Sequence, residues 1–525
     1  MVHATRWPHA LAALAAFGAL AAAPAHAQDA AACAALGSFK LAAFNLEITS
    51  AQNIAAGPVA AQPGPGGPGY TGTLPARCQV DGVIDKRTGV GGVEYGIRFS
   101  LALPDGWNGR FLFQGGGGLN GTVAPPLGAG IAGATPALAR GFAVVTNDTG
   151  HRGTSPFDAG FFADQEAVLN FLYAANGKVT VVAKALIDAY YDRPPEHSYF
   201  VGCSTGGREG MIMSQRNPTF FDGIVSGAPA MRTGYSNLGM RSVSVALNAA
   251  AAKDASGNPI PGSALSALDK QLIVDRLVAA CDADDGLADG MIFNPHACDF
   301  DPTDLVCTGA KNDQCLSAAQ ATAVQRALAG PKASNGRQVY PGYLYDTGIA
   351  ATQGIPGVLN GAAGPVGPRT PSTTQDVDAE AAAVATDVST LGDSNWWTNL
   401  SSFSGHGGKL LFYHGVSDPW FSALDTVEYY QHLGDANGGP ERVRDWSRLF
   451  LVPGMGHCGG GAATLDRFDL LSAVVDWVEQ GKAPASVVAT GAAFPNRSRP
   501  LCPSPQHAHY KGRGNTEDAA NFDCR

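Results

Sequence analysis

The feature that most constrains this chain is a short run in which a predicted strand turns sharply into a predicted helix. Residues 199–207 read Tyr-Phe-Val-Gly-Cys-Ser-Thr-Gly-Gly, which places Ser204 at the centre of a G-x-S-x-G pattern, and the predicted helix ends before Pro218. A serine on such a turn projects its hydroxyl above the sheet, and the small residues on either side relieve crowding. We interpret Ser204 as a nucleophile. The alternative is an ordinary glycine-rich turn between a strand and a helix.

From about Gly109 onward, short apolar runs alternate with amphipathic stretches. This pattern predicts strand–helix units around a largely parallel sheet, which is the α/β class. The last predicted helix starts near Leu470, has its apolar residues on one face and ends before Gly481. The predicted strands are 110–114, 142–147, 198–202, 223–226, 409–414 and 448–452. The long gap between the fourth and fifth strands indicates that the sheet is interrupted in the sequence.

The segment that separates these two strands has a different composition. Residues 229–403 contain Ala- and Asp-rich helical pieces, four of the ten cysteines and a Gly/Pro-rich stretch at 354–371. We predict that residues 28–228 and 404–525 form one catalytic domain and that 229–403 is an inserted lid over the C-terminal edge of its sheet. The alternative is a second domain packed elsewhere. A shorter Pro/Gly-rich stretch at 62–69 predicts a surface loop.

The first residues predict export. Arg6 is followed by an apolar run from position 10 to 23 and then by Ala-His-Ala at 25–27, a small-x-small cleavage pattern. We therefore predict a signal peptide at residues 1–27 and a secreted or periplasmic protein. The alternative, a transmembrane anchor, needs about 20 apolar residues, which is more than this run has. No later stretch predicts a membrane span.

The net charge bears on the kind of partner, and the cysteines bear on disulfides and zinc binding. The formal net charge of -10 offers no basic field for phosphates, so we expect no nucleic-acid partner. An even number of cysteines in an exported chain indicates disulfides, and without a C-x-x-C pair or a His-rich tract zinc is not indicated. Spacing alone leaves the pairing open, and the oligomeric state is equally open. We expect the partner to be a small molecule.

A serine hydroxyl is a weak nucleophile, so it needs a base and an acid that orients the base. Hydrolases built on such sheets supply these groups in the chain order Ser, acid, His. The loop after the fifth predicted strand offers Asp418, and the glycine-rich loop after the sixth offers His457. The competing candidates, His414 and His151, could line the site as polar wall residues, although a lone histidine near a cleft is more often structural.

Four consecutive glycines follow the first predicted strand at 115–118. In acyl transfer such a loop supplies one backbone N–H to the developing oxyanion, and the residue after the nucleophile supplies another. We predict that the N–H groups of Gly117 and Thr205 are these donors. A phosphate-binding loop is the alternative, but no GK[ST] follows the glycines and no G-x-G-x-x-G opens a helix.

An acidic cluster lies within the inserted segment. Residues 281–291 read Cys-Asp-Ala-Asp-Asp-Gly-Leu-Ala-Asp-Gly-Met. Dense carboxylates beside turn-forming glycines and backbone carbonyls suit a hard cation such as calcium. The glycine spacing and the missing glutamate at position twelve exclude an EF-hand. The alternative is a solvated acidic loop.

Together these motifs resemble the tannase and feruloyl esterase family of secreted serine hydrolases. The resemblance covers most of the mature chain. Its segments are 106–111, 115–118, 146–151, 202–209, 413–418, 453–458 and 499–503. It implies an α/β-hydrolase fold with a large inserted lid, no organic cofactor, and a catalytic triad of Ser204, Asp418 and His457.

The resemblance also implies disulfides and a structural metal ion. The family's Cys-Ser and His-Cys pairs match positions 203–204 and 457–458, so we expect a bond between Cys203 and Cys458, whose catalytic neighbours must lie close together. The other implied pairs are Cys33 with Cys78, Cys281 with Cys298, Cys307 with Cys315, and Cys502 with Cys524. The implied calcium ligands are the side chains of Asp282, Asp285 and Asp289 and the carbonyls of Leu287 and Met291.

The activity implied by the resemblance is hydrolysis of aromatic acid esters through an acyl-enzyme. Feruloyl-type esters are expected first, with galloyl esters and terephthalate monoesters as alternatives. Relatives that cleave carboxylate-bearing esters use a lid arginine, for which Arg369 is the nearest candidate here. Trp396 and Trp397 are candidates to stack on the aromatic acid, although a Trp pair equally suits core packing. A non-catalytic, calcium-stabilised binding protein is the alternative from another class, but all triad residues are present.

Overall fold

The computed structural model describes residues 30–59, 70–361 and 371–525. The predicted signal peptide at 1–27 and the predicted loop at 62–69 lie outside these ranges. The Gly/Pro-rich stretch at 354–371 lies inside them only in part.

The described residues contain fifteen strands, nine of which form one mixed central sheet. The strands are β1 (Leu46–Ile54), β2 (Gly57–Pro58), β3 (Thr73–Leu74), β4 (Arg77–Thr88), β5 (Glu94–Pro104), β6 (Arg110–Gln114), β7 (Ala143–Asn147), β8 (His197–Cys203), β9 (Gly223–Gly227), β10 (Lys409–Gly415), β11 (Ser447–Val452), β12 (Val487–Thr490), β13 (Ser498–Leu501), β14 (Ala508–Tyr510) and β15 (Phe522–Cys524). The central sheet has the order β1-β4-β5-β7-β6-β8-β9-β10-β11. Neighbours from β7 to β11 are parallel, and β1, β4, β5 and β7 pair antiparallel.

Twelve α-helices accompany these strands in the described part of the chain. They are α1 (Ala30–Ala35), α2 (Gln165–Leu169), α3 (Ala175–Tyr191), α4 (Thr205–Arg216), α5 (Thr233–Asn248), α6 (Ala267–Cys281), α7 (Ala318–Ala329), α8 (Val377–Ala385), α9 (Ser401–Gly405), α10 (Ala423–Ala436), α11 (Pro440–Val443) and α12 (Leu470–Gln480). A π-helical turn at Asn170–Ala174 joins α2 to α3. The last helix ends where predicted, because Gly481 adopts the left-handed conformation that terminates it.

The parallel strands are buried on both faces, which explains why they read as apolar runs in the sequence. In β10, Leu410 and Phe412 pack in one apolar core, and Leu411 and Tyr413 pack in a second core on the other face. Successive side chains of a strand alternate between faces, so one short run supplies both layers. Helices α3 and α10 pack in the first core, and α12 packs in the second.

The expectation of a largely parallel sheet holds only for the strands from β7 onward. Three long antiparallel strands, β1, β4 and β5, extend the sheet on one side. The first half of β4 alternates between half-buried and buried positions, whereas β5 is buried along most of its length. One face of these strands carries polar pairs, such as the Ser100 hydroxyl that donates to Asp81 at 2.6 Å. Polar residues therefore interrupt the apolar runs by which the parallel strands were recognised.

The segment between β9 and β10 contains α5 to α9 and has its own apolar core. Side chains of α5, α6 and α7 meet in this core; they include Val243, Leu247, Ile273, Leu277, Val324 and Leu328. Serine caps begin two of these helices: Ser266 and Ser317 each accept the N–H three residues ahead. Such capping boxes stabilise helix starts.

All ten cysteines are paired, in the five combinations that the resemblance implied. They are Cys33–Cys78, Cys203–Cys458, Cys281–Cys298, Cys307–Cys315 and Cys502–Cys524. Across residues 30–59, 70–361 and 371–525, no helix has the length and apolar character needed to cross a membrane.

Candidate active site

Ser204 lies at the sharp turn between β8 and α4. Its backbone has φ 63° and ψ −122°, a conformation that costs of the order of 1–3 kcal/mol and persists only where contacts impose it. Its N–H donates to Gly227 O and its carbonyl accepts from Arg208 N–H, both at 3.0 Å. A Cβ on Gly202 would lie 2.4 Å from Gly206 O, so the tight turn requires glycine there. The turn therefore presents the serine hydroxyl at the carboxyl edge of the sheet.

The predicted acid and base are in direct contact. Asp418 follows β10 and His457 follows β11, and because the strands are parallel both loops lie at the same edge of the sheet. His457 Nδ1 is 2.7 Å from Asp418 Oδ2, so we assign the ring proton to Nδ1. Asp418 Oδ1 accepts N–H groups from Trp420 and Phe421 at 2.9 and 3.1 Å. In the described part of the chain, His457 Nε2 has no hydrogen-bond partner and is open to accept a proton.

Asp418 is fully buried and held in its charged form. Burial alone would raise its pKa, but the His457 imidazole and the hydrogen bond from His414 outweigh burial and hold the pKa of Asp418 below its ordinary value. His414 Nε2 lies 3.3 Å from Asp418 Oδ2, and its Nδ1 lies 2.8 Å from Thr426 Oγ1. His414 is therefore a buried structural neighbour of the acid, the commoner role of a lone histidine near a cleft.

His151 is also buried, stacked on the Phe161 ring at 3.8 Å between centroids. Burial lowers the pKa of His151 to about 4, so the ring is neutral at pH 7. A Cβ on Gly121 would lie 3.1 Å from His151 Nε2, which places this ring against the loop that follows the four glycines. Its contacts are those of a packing residue.

A disulfide joins the serine turn to the histidine loop. Cys203 immediately precedes Ser204, Cys458 immediately follows His457, and their Cα atoms are 5.9 Å apart. Cys458 has φ 64°, which bends the backbone directly after the histidine. The bond connects the two loops across 255 positions of sequence.

The glycine loop after β6 lies against the start of α4. Gly206 N–H donates to Gly116 O at 3.0 Å, and the Thr205 hydroxyl donates to Gly118 O. The N–H groups of Gly117 and Thr205 donate to no acceptor within the described ranges, and the same holds for Gly118. Both predicted oxyanion donors are thus free to bind a ligand.

Glu209 holds the glycine loop from beneath, a role that the sequence motifs did not reveal. Its Oε2 accepts Gly116 N–H at 2.9 Å and its Oε1 accepts the Asn120 amide at 3.0 Å. Burial raises the pKa of Glu209. Because Glu209 lies on α4, the helix that begins after Ser204 also positions the loop that faces the serine.

Comparison with protein families places these features in a known context. The family model described as "Tannase and feruloyl esterase" matches residues 78–387 and 373–525. The chain belongs to the tannase and feruloyl esterase family. Membership makes this protein a carboxylic ester hydrolase.

Similar proteins agree with this assignment. Mono(2-hydroxyethyl) terephthalate hydrolase of Piscinibacter sakaiensis is 38% identical over 86% of this chain and 85% of its own length. A probable feruloyl esterase B-2 of Aspergillus terreus is 33% identical over 82% and 83%. The crystal structure of feruloyl esterase B from Aspergillus oryzae superimposes with a TM-score of 0.75 at 26% identity, covering 94% of this chain and 100% of that one. The predicted α/β-hydrolase fold is confirmed.

The two tryptophans predicted to bind substrate do not lie at the predicted triad of this esterase. The Trp397 carbonyl accepts the side-chain amide of Gln215 at 3.2 Å, near the last turn of α4. A helix rises about 1.5 Å per residue, so this end of α4 lies roughly 17 Å from Ser204. The Trp396 ring is tilted against the Trp397 ring there, with 5.6 Å between centroids, and Trp396 is 60% exposed. The Trp pair therefore lies at the end of α4 that is far from Ser204, and Arg369 lies outside the described residues.

Other aromatic residues do lie at or beside the predicted triad of the esterase. The Trp420 ring lies 4.9 Å from the His457 ring, and Phe157 packs edge-on against Trp420 at 5.9 Å. A Cβ on Gly118 would lie 3.4 Å from the Phe157 ring, so this ring also adjoins the glycine loop. Both side chains are half-buried. Trp420 follows Asp418 by two positions, and this short spacing was the sequence signal that could have placed Trp420 near the triad.

The acidic loop of this family member folds back on itself. Asp282 accepts N–H groups from Gly290 and Met291 at 2.7 and 3.2 Å, and Asp285 accepts those of Leu287 and Phe293 at 3.2 Å each. Burial and the nearby charges of Asp289 and Asp282 raise the pKa of Asp285 to about 7. The three carboxylates therefore lie near enough to one another to interact electrostatically.

The oxygen atoms of this loop decide whether it can hold a calcium ion. In the parts of the chain that are described, no three His, Cys, Asp or Glu side chains form a ready metal cluster. However, Asp289 Oδ1 is buried without a hydrogen-bond partner there, while Oδ2 pairs with Arg499. A buried carboxylate oxygen without a donor beside two further carboxylates is the chemistry that a hard cation satisfies. The residues present fit calcium in their chemistry, with rearrangement of side chains.

Proposed function

We propose that this protein hydrolyses esters of aromatic acids through a covalent acyl-enzyme on Ser204. Ser204 Oγ attacks the ester carbonyl carbon while His457 Nε2 takes its proton, and Asp418 stabilises the resulting imidazolium. The N–H groups of Gly117 and Thr205 bind the oxyanion; such a donor contributes about 10²–10³ in rate. His457 then protonates the departing alcohol, and water repeats the sequence to release the acid.

The observation that carries the aromatic assignment is the pair of rings beside the triad. Trp420 and Phe157 adjoin the catalytic histidine and the oxyanion loop, and both retain exposed surface. Aromatic rings favour offset or edge-on contacts with another ring and gain about 0.5–1.5 kcal/mol beyond burial. An aromatic acid esterified at Ser204 would place its ring against this pair.

Hydroxycinnamoyl esters of the feruloyl type are our first candidate within this class, with galloyl esters next. A second candidate, a terephthalate monoester such as mono(2-hydroxyethyl) terephthalate, is favoured by the 38% identity to a hydrolase of that name. Arg369 would then serve as carboxylate clamp. Arg369→Ala should spare feruloyl ester hydrolysis if the first candidate holds, and selectively reduce terephthalate monoester hydrolysis if the second does.

A side-by-side panel tests the substrate class. Methyl ferulate, methyl gallate, mono(2-hydroxyethyl) terephthalate and methyl butanoate are assayed with wild type, Trp420→Leu and Phe157→Leu. We expect kcat/KM on the aromatic esters to fall about tenfold in either variant, with a smaller loss on the aliphatic ester. Trp396→Leu, at the end of α4 far from Ser204, is the matched control and should leave kcat/KM unchanged on the aromatic and the aliphatic esters. A wild type that prefers methyl butanoate contradicts the aromatic assignment.

We further propose that residues 229–403 form the lid of this site and that its acidic loop binds a structural calcium ion. The side chains of Asp282, Asp285 and Asp289 and the carbonyls of Leu287 and Met291 would hold the ion, far from any bond-making step. The five disulfides support export to an oxidising compartment, either the periplasm or the medium.

A further inference from the structure

One buried carboxylate from the inserted segment contacts both loops that carry the acid and the base. Asp346 is completely buried, and its Oδ2 accepts the Ser417 hydroxyl at 2.6 Å and the Gly454 N–H at 2.7 Å. Ser417 immediately precedes Asp418, and Gly454 lies three residues before His457. A single oxygen atom therefore links the acid loop to the base loop.

Neighbouring contacts hold in place the Ser417 hydroxyl and the Gly454 N–H, which meet at Asp346 Oδ2. Gly348 N–H donates to Ser417 Oγ at 3.0 Å, so the serine hydroxyl receives one hydrogen bond and gives the other to Asp346. Gly454 has φ 68°, and a Cβ there would lie 1.9 Å from Ala463 O, so only glycine allows the amide to point at Asp346. Ser417 N–H also donates to Met455 O at 3.0 Å. These hydrogen bonds thus fix the position of the acid loop relative to the base loop.

Burial of the Asp346 carboxylate at this position is energetically unfavourable. The partners of Asp346 in the described chain are neutral donors, and its Oδ1 is buried with no partner there. Burying a carboxylate with an unsatisfied oxygen is unfavourable, so such a group calls for a reason besides packing. The groups that this carboxylate orders belong to Ser417, which immediately precedes Asp418, and to Gly454, which lies three residues before His457.

We infer that Asp346 is a positioning residue that sets the distance between Asp418 and His457 by holding the Ser417 and Gly454 ends of their loops. This inference rests on the proposed function of the triad. Loss of the contact would leave the Ser417 hydroxyl and the Gly454 amide without their acceptor and would loosen the two loops, which the Ser417 N–H bond to Met455 O would still connect. Small displacements of a catalytic base reduce the rate of the chemical step more than ground-state binding.

Asn at position 346 separates positioning from mere packing. Both hydrogen bonds use one oxygen, so an Asn carbonyl oxygen can accept both while its amide nitrogen takes the place of the unpartnered Oδ1. We expect Asp346→Ala to lower kcat roughly 10- to 100-fold with KM changed less than about threefold. Asp346→Asn should recover most of the lost kcat. Ser417→Ala, which removes one of the two contacts, should fall between them.

Ser317→Ala, which removes the cap of α7 in the same segment, is the control for destabilisation and should leave kcat unchanged. The inference is overturned if Asp346→Ala keeps its kcat, if Asn and Ala lose kcat equally, or if KM rises in parallel. Should the Ala variant not fold, Ser417→Ala with an unchanged kcat overturns it. Labelling of wild-type Ser204 by a serine-directed phosphonate is measured alongside: absence of labelling counts against the proposed triad, whereas labelling with an unaffected Asp346→Ala counts against this inference alone.

Discussion

Cutting the disulfide between Cys203 and Cys458 should affect both stability and turnover, and its two effects can be measured separately. The change is Cys203→Ala together with Cys458→Ala. The matched control is Cys307→Ala with Cys315→Ala, which removes a bond that spans 8 positions within the inserted segment. Both variants lose one cross-link, but only the first frees the residues beside Ser204 and His457.

The expected loss of stability follows from the lengths of the closed loops. In the chain-entropy model, closing 255 positions stabilises by about 5.5 kcal/mol and closing 8 positions by about 2.5 kcal/mol. Unfolding entropy is about 2.1 cal/mol/K per residue, so for 525 residues the first change corresponds to a Tm shift of roughly 5 °C. The control should shift Tm by about half as much.

The expected loss of activity follows from geometry. Because the bond holds the serine turn against the histidine loop, its removal should lower kcat about 10- to 100-fold at temperatures well below Tm, and the control should leave kcat unchanged. Calorimetry supplies Tm, and steady-state hydrolysis of methyl ferulate supplies kcat. If the Cys203/Cys458 variant retained full kcat, or if both variants lost kcat equally, the positioning role would be refuted.

Two further predictions concern charge. Chelation of calcium should lower Tm, because ligand binding to the native state is lost. The double variant Asp282→Ala with Asp285→Ala should abolish the effect of the chelator on Tm, whereas the exposed Asp284→Ala control should keep it. A wild-type Tm that does not change with chelator contradicts the site. Burial raises the pKa of Asp393 to about 7, so its favourable contribution is present below about pH 4 and is lost as the pH rises through 7. Asp393→Asn should therefore reduce the fall in unfolding free energy between pH 5 and pH 8, measured by denaturant titration, and an unchanged slope would disprove this assignment.

The central parallel strands and the contact between acid and base were predictable because their signals are local. Each parallel strand is a short apolar run followed by a glycine-rich or polar loop, and the order of Ser204, Asp418 and His457 along the chain follows from the order of the strands. The five disulfide pairs came from the family resemblance, since spacing alone left the pairing open.

The remaining features depend on contacts between distant positions. Glu209 meets Gly116 across 93 positions, and Asp346 meets Ser417 across 71. No periodicity within a window of ten or twenty residues reports such pairs. Trp396 and Trp397 were misplaced for the same reason, because an adjacent aromatic pair looks alike whether it faces a ligand or the outer end of a helix.

Mass spectrometry of the protein trapped during turnover tests the central claim most directly. Wild type is mixed with excess methyl ferulate, quenched in acid within milliseconds and digested, and Ser204→Ala is treated identically. We predict a feruloyl adduct on the peptide that contains Ser204, no adduct in the variant, and loss of nearly all turnover with an unchanged Tm. A serine-directed phosphonate should label the same residue if deacylation is too fast for the acyl group to accumulate. Near-normal hydrolysis by Ser204→Ala, or a covalent adduct on any other residue, would contradict the account.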